Sequence, residues 1–140
     1  MKCPYCSKEA EQVTGKSIYP CRKDLYKRIF YCCKDCDAYV GTHKRSSIPL
    51  GTLANEELRK MRGKAHCCFD PLWKECHMLR YEAYAWLAEE LGIRSTECHI
   101  ALFDEEMCER AIKVSTNKRR LLTRTDKGGS VEFNEFMEAP

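Results

Sequence analysis

The chain has 140 residues, 11 of them cysteine, and a net charge of +3 from 24 Lys and Arg against 21 Asp and Glu. That length holds one domain, or one domain with a small appended module, and no apolar run approaches the ~18–20 residues that a membrane-spanning helix needs. The N-terminal residues Met1-Lys2-Cys3-Pro4-Tyr5-Cys6 run straight into polar sequence, without the apolar core of a secretory signal. The expected setting is therefore a soluble protein of a reducing cytoplasm, where clustered cysteines bind metal or do chemistry more often than they pair as disulfides.

Charge is unevenly spread. Residues 1–45 carry ten basic and five acidic side chains, residues 46–112 eight and twelve, residues 113–127 six and one, and residues 128–140 none and three. A basic start, an acidic middle and a basic segment before an acidic tail read as parts with different jobs.

The first element is a pair of C-x-x-C knuckles, Cys3-Pro4-Tyr5-Cys6 and Cys33-Lys34-Asp35-Cys36. Two residues between cysteines let a tight turn aim both sulfurs at one ion, and two such turns complete a tetrahedral shell of four thiolates. Val13, Ile18, Tyr19, Ile29, Phe30 and Tyr31 favour short strands between them. The expected unit is a zinc ribbon over residues 1–48, with one structural Zn²⁺ on Cys3, Cys6, Cys33 and Cys36. Only Cys33 has the two-residue spacing to Cys36, so its neighbour Cys32 is expected to pack. Four thiolates leave no open coordination position, and such a metal holds a fold without catalysing. A module this small depends on the metal for much of its folding free energy.

Residues 49–116 change to helical spacing. Asn55 is placed to cap a helix that buries Leu58, Met61, Ala65 and Cys68. Asp70-Pro71 restarts the chain as N-cap and first helical residue, and a second helix is expected from Pro71 to Leu91, with Trp73, Cys76, Ala83, Leu87 and Leu91 inward and Gly92 as its stop. A third is expected from Asp104 to about Ser115, burying Met107, Cys108, Ala111 and Ile112. Residues 117–140 form a basic, then acidic, C-terminal extension. There Leu121–Thr125 and Ser130–Phe133 flank Asp126-Lys127-Gly128-Gly129 as a hairpin would, and a tail that orders only on a partner fits as well.

Several motifs together carry a resemblance over residues 1–114. They are Cys3-Pro4-Tyr5-Cys6, Ile18-Tyr19-Pro20, Asp37-Ala38-Tyr39-Val40-Gly41, Pro49-Leu50-Gly51, Leu53-Ala54-Asn55, Ala65-His66 with Phe69-Asp70-Pro71-Leu72-Trp73, Ala83-Tyr84 with Trp86-Leu87-Ala88, and Cys98-His99-Ile100. The chain resembles a small family of zinc-finger-containing domain proteins of unknown function, carried mainly by bacteriophages and prophages. Cys21 stands where that family's Ile-Tyr-Pro motif is usually followed by His. The resemblance implies zinc, a phage setting and a host-cell cytoplasm; it implies no reaction.

Other residues invite chemistry. Cys67, Cys68, Cys76, His77, Cys98, His99 and Cys108 could form a second metal site, but none makes a C-x-x-C pair, and core packing is the favoured reading. His66, Asp70 and His99, with Asp104, are donors suited to a metal-dependent nuclease, although both aspartates are already explained as helix caps. For nucleic acid the candidates are Lys27 and Arg28 beside Tyr26, Phe30 and Tyr31, then Lys44 and Arg45, then Lys118, Arg119, Arg120 and Arg124. For a protein partner they are Trp73, Tyr81, Tyr84 and Trp86, too widely spread around a helix to bury on one stripe.

The expected architecture is α+β: a four-cysteine zinc ribbon packed on a domain of three helices, with a basic extension. The expected function is a non-enzymatic zinc protein that binds nucleic acid or a nucleic-acid-processing complex. An adaptor or inhibitor of a host or phage protein is the alternative, and a metal-dependent nuclease the weaker one.

Overall fold

The computed structural model describes residues 1–75 and 77–126, with side chains as far as residue 123. It is α+β, with two compact units, Met1–Lys60 and a second that begins at Met61. No helix among the described residues is long and apolar enough to cross a membrane.

The first unit is built on three antiparallel strands, β1 (Glu11–Thr14), β2 (Ile29–Cys33) and β3 (Ala38–Gly41), in the order β1-β2-β3. Phe30 pairs with Val13 and Gly41, and Cys32 with Glu11 and Tyr39. Successive strand residues point to opposite faces, so this register sorts the sheet. One face carries Tyr31, Cys33, Ala38 and Val40, which pack with Cys3 and Leu53. The other carries Phe30 and Tyr39, each meeting Tyr19 edge-on at a ring separation of 5.9 Å and each other at 6.2 Å. Between β1 and β2 the chain makes a short helix, α1 (Gly15–Ile18), and a 3-10 turn at Lys23–Leu25. A Cβ on Gly15 would lie 1.7 Å from the carbonyl oxygen of Leu25, so the close approach of these two turns requires glycine.

Helix α2 (Glu56–Phe69) starts in this unit. Asn55 caps it as expected, its Oδ1 accepting the N–H of Leu58 at 3.0 Å. Arg59 then donates to the carbonyls of Asp37 and Ala54 at 2.7 and 2.8 Å and lies 4.0 Å over the Tyr39 ring. The buried stripe of α2 is Leu58, Arg62, Ala65 and Phe69, while Met61 and Cys68 are only half-buried.

The expected second helix is two. α3 (Pro71–Lys74) ends after one turn, and α4 (Arg80–Leu91) begins after extended backbone at Leu79. The new start is marked by Glu82, whose carboxylate accepts the N–H of Leu79 at 2.9 Å. This is half of a capping box, with no side-chain oxygen at the cap residue to make the other half. Asp70 does not cap α3: its own backbone is helical and its carboxylate turns back to His66. Ala83, Leu87 and Leu91 are buried as expected, and Cys76 lies outside the described residues. Gly92, at φ 69°, closes α4 with its N–H on Glu89 and that of Ile93 on Ala88, the left-handed cap that glycine favours.

α5 (Glu105–Asp126) starts where Asp104 accepts the N–H of Met107 at 2.8 Å. It does not stop near Ser115. Ser115 is buried and continues the Cys108–Ala111 stripe at helical spacing, and the helix runs on through Leu121–Thr125, which are therefore not a hairpin strand. The other half of that hairpin, Ser130–Phe133, lies outside the described residues. The core of the second unit includes Phe69, Leu72, Leu87, Ile100, Phe103, Cys108 and Ala111, and Arg62 donates from Nε to the carbonyl of Phe103 at 2.9 Å.

Candidate metal centre

The two knuckles come together as their spacing requires. The sulfurs of Cys3, Cys6, Cys33 and Cys36 all lie within 4.8 Å of one another, and those of Cys6 and Cys33 are 3.6 Å apart. Tetrahedral zinc with Zn–S near 2.3 Å places its sulfurs about 3.8 Å apart, so this cage has the right size.

The two knuckles close by different hydrogen bonds but share a left-handed exit. In the first, Ser7 donates four residues back to the Cys3 carbonyl at 2.9 Å and takes φ 65°; in the second, Asp37 donates three residues back to the Lys34 carbonyl at 3.3 Å and takes φ 51°. In each the residue after the second cysteine is left-handed and not glycine, a strained conformation that persists only where its surroundings hold it. Adjacent positions on β2 also settle the choice between Cys32 and Cys33. Cys33 faces the cage, while Cys32 points to the other side of the sheet, is buried, and has its thiol pushed up chiefly by that burial.

The donor set fits a divalent soft cation. Burial raises the Cys3 thiol, but the N–H groups of Tyr5 and Cys6, with the thiols of Cys33 and Cys6, outweigh it and leave Cys3 below its ordinary value. Cys36 is pushed up to about 12, first by desolvation and then by the neighbouring thiols. Four thiolates this close repel one another, and a cation among them is the partner that lets all four ionise. Its chemistry there would be structural, with every coordination position taken by sulfur.

These four residues form the one group of three or more metal-type donors that converges among the described residues. Comparison with family models matches residues 1–118 to a zinc-finger-containing domain. The chain belongs to that family. No curated protein and no solved structure matches it.

The remaining candidates are distributed as follows. None of the ten described cysteines is in a disulfide; Cys98 and Cys108 are buried, each with its thiol pushed up to about 11 chiefly by desolvation, so both are core residues and no second metal site forms around them among the described residues. His66 and Asp70 do meet, Nδ1 to Oδ1 at 3.2 Å, and the ring of His99 lies 6.4 Å from that of Tyr84, but these three do not gather as a set of metal donors.

Lys27 and Arg28 line a cleft of about 400 Å³ in the first unit, together with His43, Lys44 and Arg45. The aromatic residues beside them are engaged: Phe30 is buried, the Tyr26 hydroxyl donates to the Pro20 carbonyl, and that of Tyr31 to the Ser47 carbonyl. In the second unit Lys118 lies 5.6 Å over the Trp86 ring and Arg119 is paired with Glu75. Arg120 borders a cleft with Cys67 and Cys68, and the side chain of Arg124 lies outside the described residues. Tyr81 is 72% exposed, whereas Trp73, Tyr84 and Trp86 are half-buried. Sequence reasoning missed His43, whose adjacency to Lys44-Arg45 was the available signal.

Proposed function

We propose that this chain is a non-enzymatic zinc-finger protein that binds nucleic acid through its phosphates, with one structural zinc holding the platform. The observation that carries the reading is the composition of the cleft in the first unit. Lys27, Arg28, His43, Lys44 and Arg45 face it against a single carboxylate, Asp24, and that carboxylate already accepts two hydrogen bonds from Arg22 at 3.0 and 2.8 Å. The positive potential there is thus left without an acidic counterweight.

The cleft is also held in shape. Arg28 donates from Nη2 to the Thr42 carbonyl at 2.6 Å, and the Thr42 hydroxyl donates to the Ile29 carbonyl at 2.8 Å. The loop that presents His43, Lys44 and Arg45 is closed by His43 N–H on the Ile48 carbonyl, Ser46 N–H on the His43 carbonyl and Ile48 N–H on the Ser46 hydroxyl. Cations presented on a fixed loop lose less entropy on meeting a phosphate than those on a mobile one. With the ribbon aromatics engaged in the fold, the contacts favour backbone over bases, and sequence preference is weak.

The test is a salt series of binding to duplex and single-stranded DNA and RNA. Each phosphate neutralised on duplex DNA contributes about 0.9 to the slope of log affinity against log salt. Lys44→Ala with Arg45→Ala is expected to reduce that slope by about 1.8 without loss of zinc; no binding at low salt overturns the reading. The exposure of Tyr81, 72%, favours the second reading, docking on a protein partner. That reading gains if the zinc-loaded protein ignores nucleic acid and Tyr81→Ala abolishes capture of one partner.

A further inference from the structure

The second unit carries a surface that neither the zinc centre nor the ribbon cleft explains. Where α3 ends and α4 begins, Arg80 places its guanidinium over two rings at once, 5.3 Å from the centre of Trp73 and 4.9 Å from that of Tyr84. Lys74 lies 5.5 Å over the same indole and 3.8 Å from the Asp70 carboxylate, which is 18% exposed and also meets His66. Lys74 and His66 thus share one carboxylate, and a second permanent cation, Arg80, lies against the rings of Trp73 and Tyr84.

Beside this face lies a cleft of about 380 Å³ bounded by Trp73, His77, Met78, Leu79, Arg80 and Glu82. Three of its features are unusual for a merely structural seam. The indole N–H of Trp73 is buried and has no hydrogen-bond partner among the described residues, which costs free energy in a finished fold. Leu79 is 59% exposed at the cleft although it is a large apolar residue. Arg80, with its guanidinium carbon 5.3 and 4.9 Å from two ring centres, carries several N–H groups that suit an anion. Among the described residues the carboxylate on the cleft wall is Glu82, one oxygen of which accepts the N–H of Leu79.

We propose that this cleft binds a nucleoside monophosphate, free or as the terminal residue of a strand. Arg80 takes the phosphate, with Lys74, over the same indole, supplying further positive charge. Trp73, Met78 and Leu79 form the apolar wall for the base. The volume suits a ligand of that size, and an apolar wall with one fixed cation discriminates a nucleotide from both a nucleoside and free phosphate. The site lies wholly within the second unit and stands without the ribbon reading.

The test uses the full zinc-loaded chain labelled with ¹⁵N, followed through the two indole N–H signals, with Trp86→Phe to assign that of Trp73. Titration with adenosine and uridine monophosphates is expected to shift the Trp73 signal saturably and to leave that of Trp86 in place. Adenosine and inorganic phosphate should each bind at least tenfold more weakly. Arg80→Gln should weaken nucleotide binding at least tenfold while the folded spectrum is retained, and Lys44→Ala with Arg45→Ala should leave it unchanged, which separates this site from the ribbon cleft. A 5′-phosphorylated oligonucleotide that competes where its 5′-hydroxyl counterpart does not identifies strand ends as the source; competition by mononucleotide alone identifies the free ligand. A Trp73 signal unmoved by millimolar nucleotide, or moved equally by adenosine, overturns the proposal.

Discussion

Arg119 holds Glu75 with two hydrogen bonds, from Nε at 3.1 Å and from Nη2 at 2.6 Å, across 44 positions of sequence. The fork-to-carboxylate geometry ties the second half of α5 to the residue that ends α3. Arg119 therefore has a structural occupation, and its place in a basic run does not make it a free phosphate contact. Arg119 also holds the Glu75 carboxyl below its usual range, with His77 adding to the effect.

The sign of the pH dependence follows. A carboxyl lowered in the folded state contributes stability above its unfolded value, about 4.3, and loses that contribution as pH falls through its folded value. Glu75→Gln is thus expected to be less stable than the parent at pH 7, with the gap closing below about pH 4. Both groups are exposed, so the gap should also narrow in molar salt. Urea unfolding at pH 7 and pH 3, each at low and high salt, measures it; an equal gap at both pH values would sink the ion-pair account.

Neighbouring cysteines give the second prediction. Cys33→Ser removes one of four thiolates from the cage, so the variant is expected to lose zinc and the order of the ribbon. Cys32→Ser changes a buried residue on the opposite face of the sheet and should retain zinc at a cost of about 1–2 kcal/mol. Native mass spectrometry counts the metal in each, with one ion per chain expected in Cys32→Ser and in the parent. Loss of zinc from both variants would contradict the register.

That pair also marks how far the sequence could be read. The two C-x-x-C turns were legible because their geometry is local and two residues long, and Asn55, Gly92 and Asp104 were legible as helix ends for the same reason. The break between α3 and α4 was not, because its only start signal is Glu82 reaching back to Leu79, a cap residue with no side-chain acceptor. Asp70-Pro71 misled in the opposite way: the dipeptide is a strong start signal, yet Asp70 turns its carboxylate to His66 and Lys74. The length of α5 was hidden by its threonines, whose strand preference is local, while the Arg119–Glu75 contact that opposes it spans the unit. The basic cleft joins Lys27-Arg28 to His43-Lys44-Arg45 through the pairing of β2 with β3, a relationship no sequence window contains.

Leu87 tests the core of the second unit. It is fully buried on α4, in a core that also holds Phe69 and Leu72. Leu87→Ala is expected to cost about 2–5 kcal/mol, the lost transfer energy plus that of the cavity left behind. Denaturant unfolding followed by tryptophan fluorescence measures it; a cost below about 1 kcal/mol would show that the site is not packed as described.

Three glycines separate backbone demand from space, and the same substitution should act on them in three different ways. Gly63 sits in the interior of α2, and a Cβ added there would meet nothing within 4 Å, so Gly63→Ala is expected to stabilise by about 0.5–1 kcal/mol through helix propensity. Gly92 is equally open but has φ 69°, and Gly92→Ala should cost about 1–2 kcal/mol for the left-handed backbone alone, with Gly92→Asn milder. At Gly15 the obstacle is the Leu25 carbonyl 1.7 Å from the new carbon, a rigid group that cannot step aside as a flexible side chain would. Gly15→Ala must displace the 3-10 turn or α1, and its cost should exceed that of Gly92→Ala. Thermal unfolding of the three variants beside the parent gives the order Gly63→Ala, parent, Gly92→Ala, Gly15→Ala from most to least stable. A Gly15→Ala protein as stable as the parent would mean that the two turns do not approach in this way.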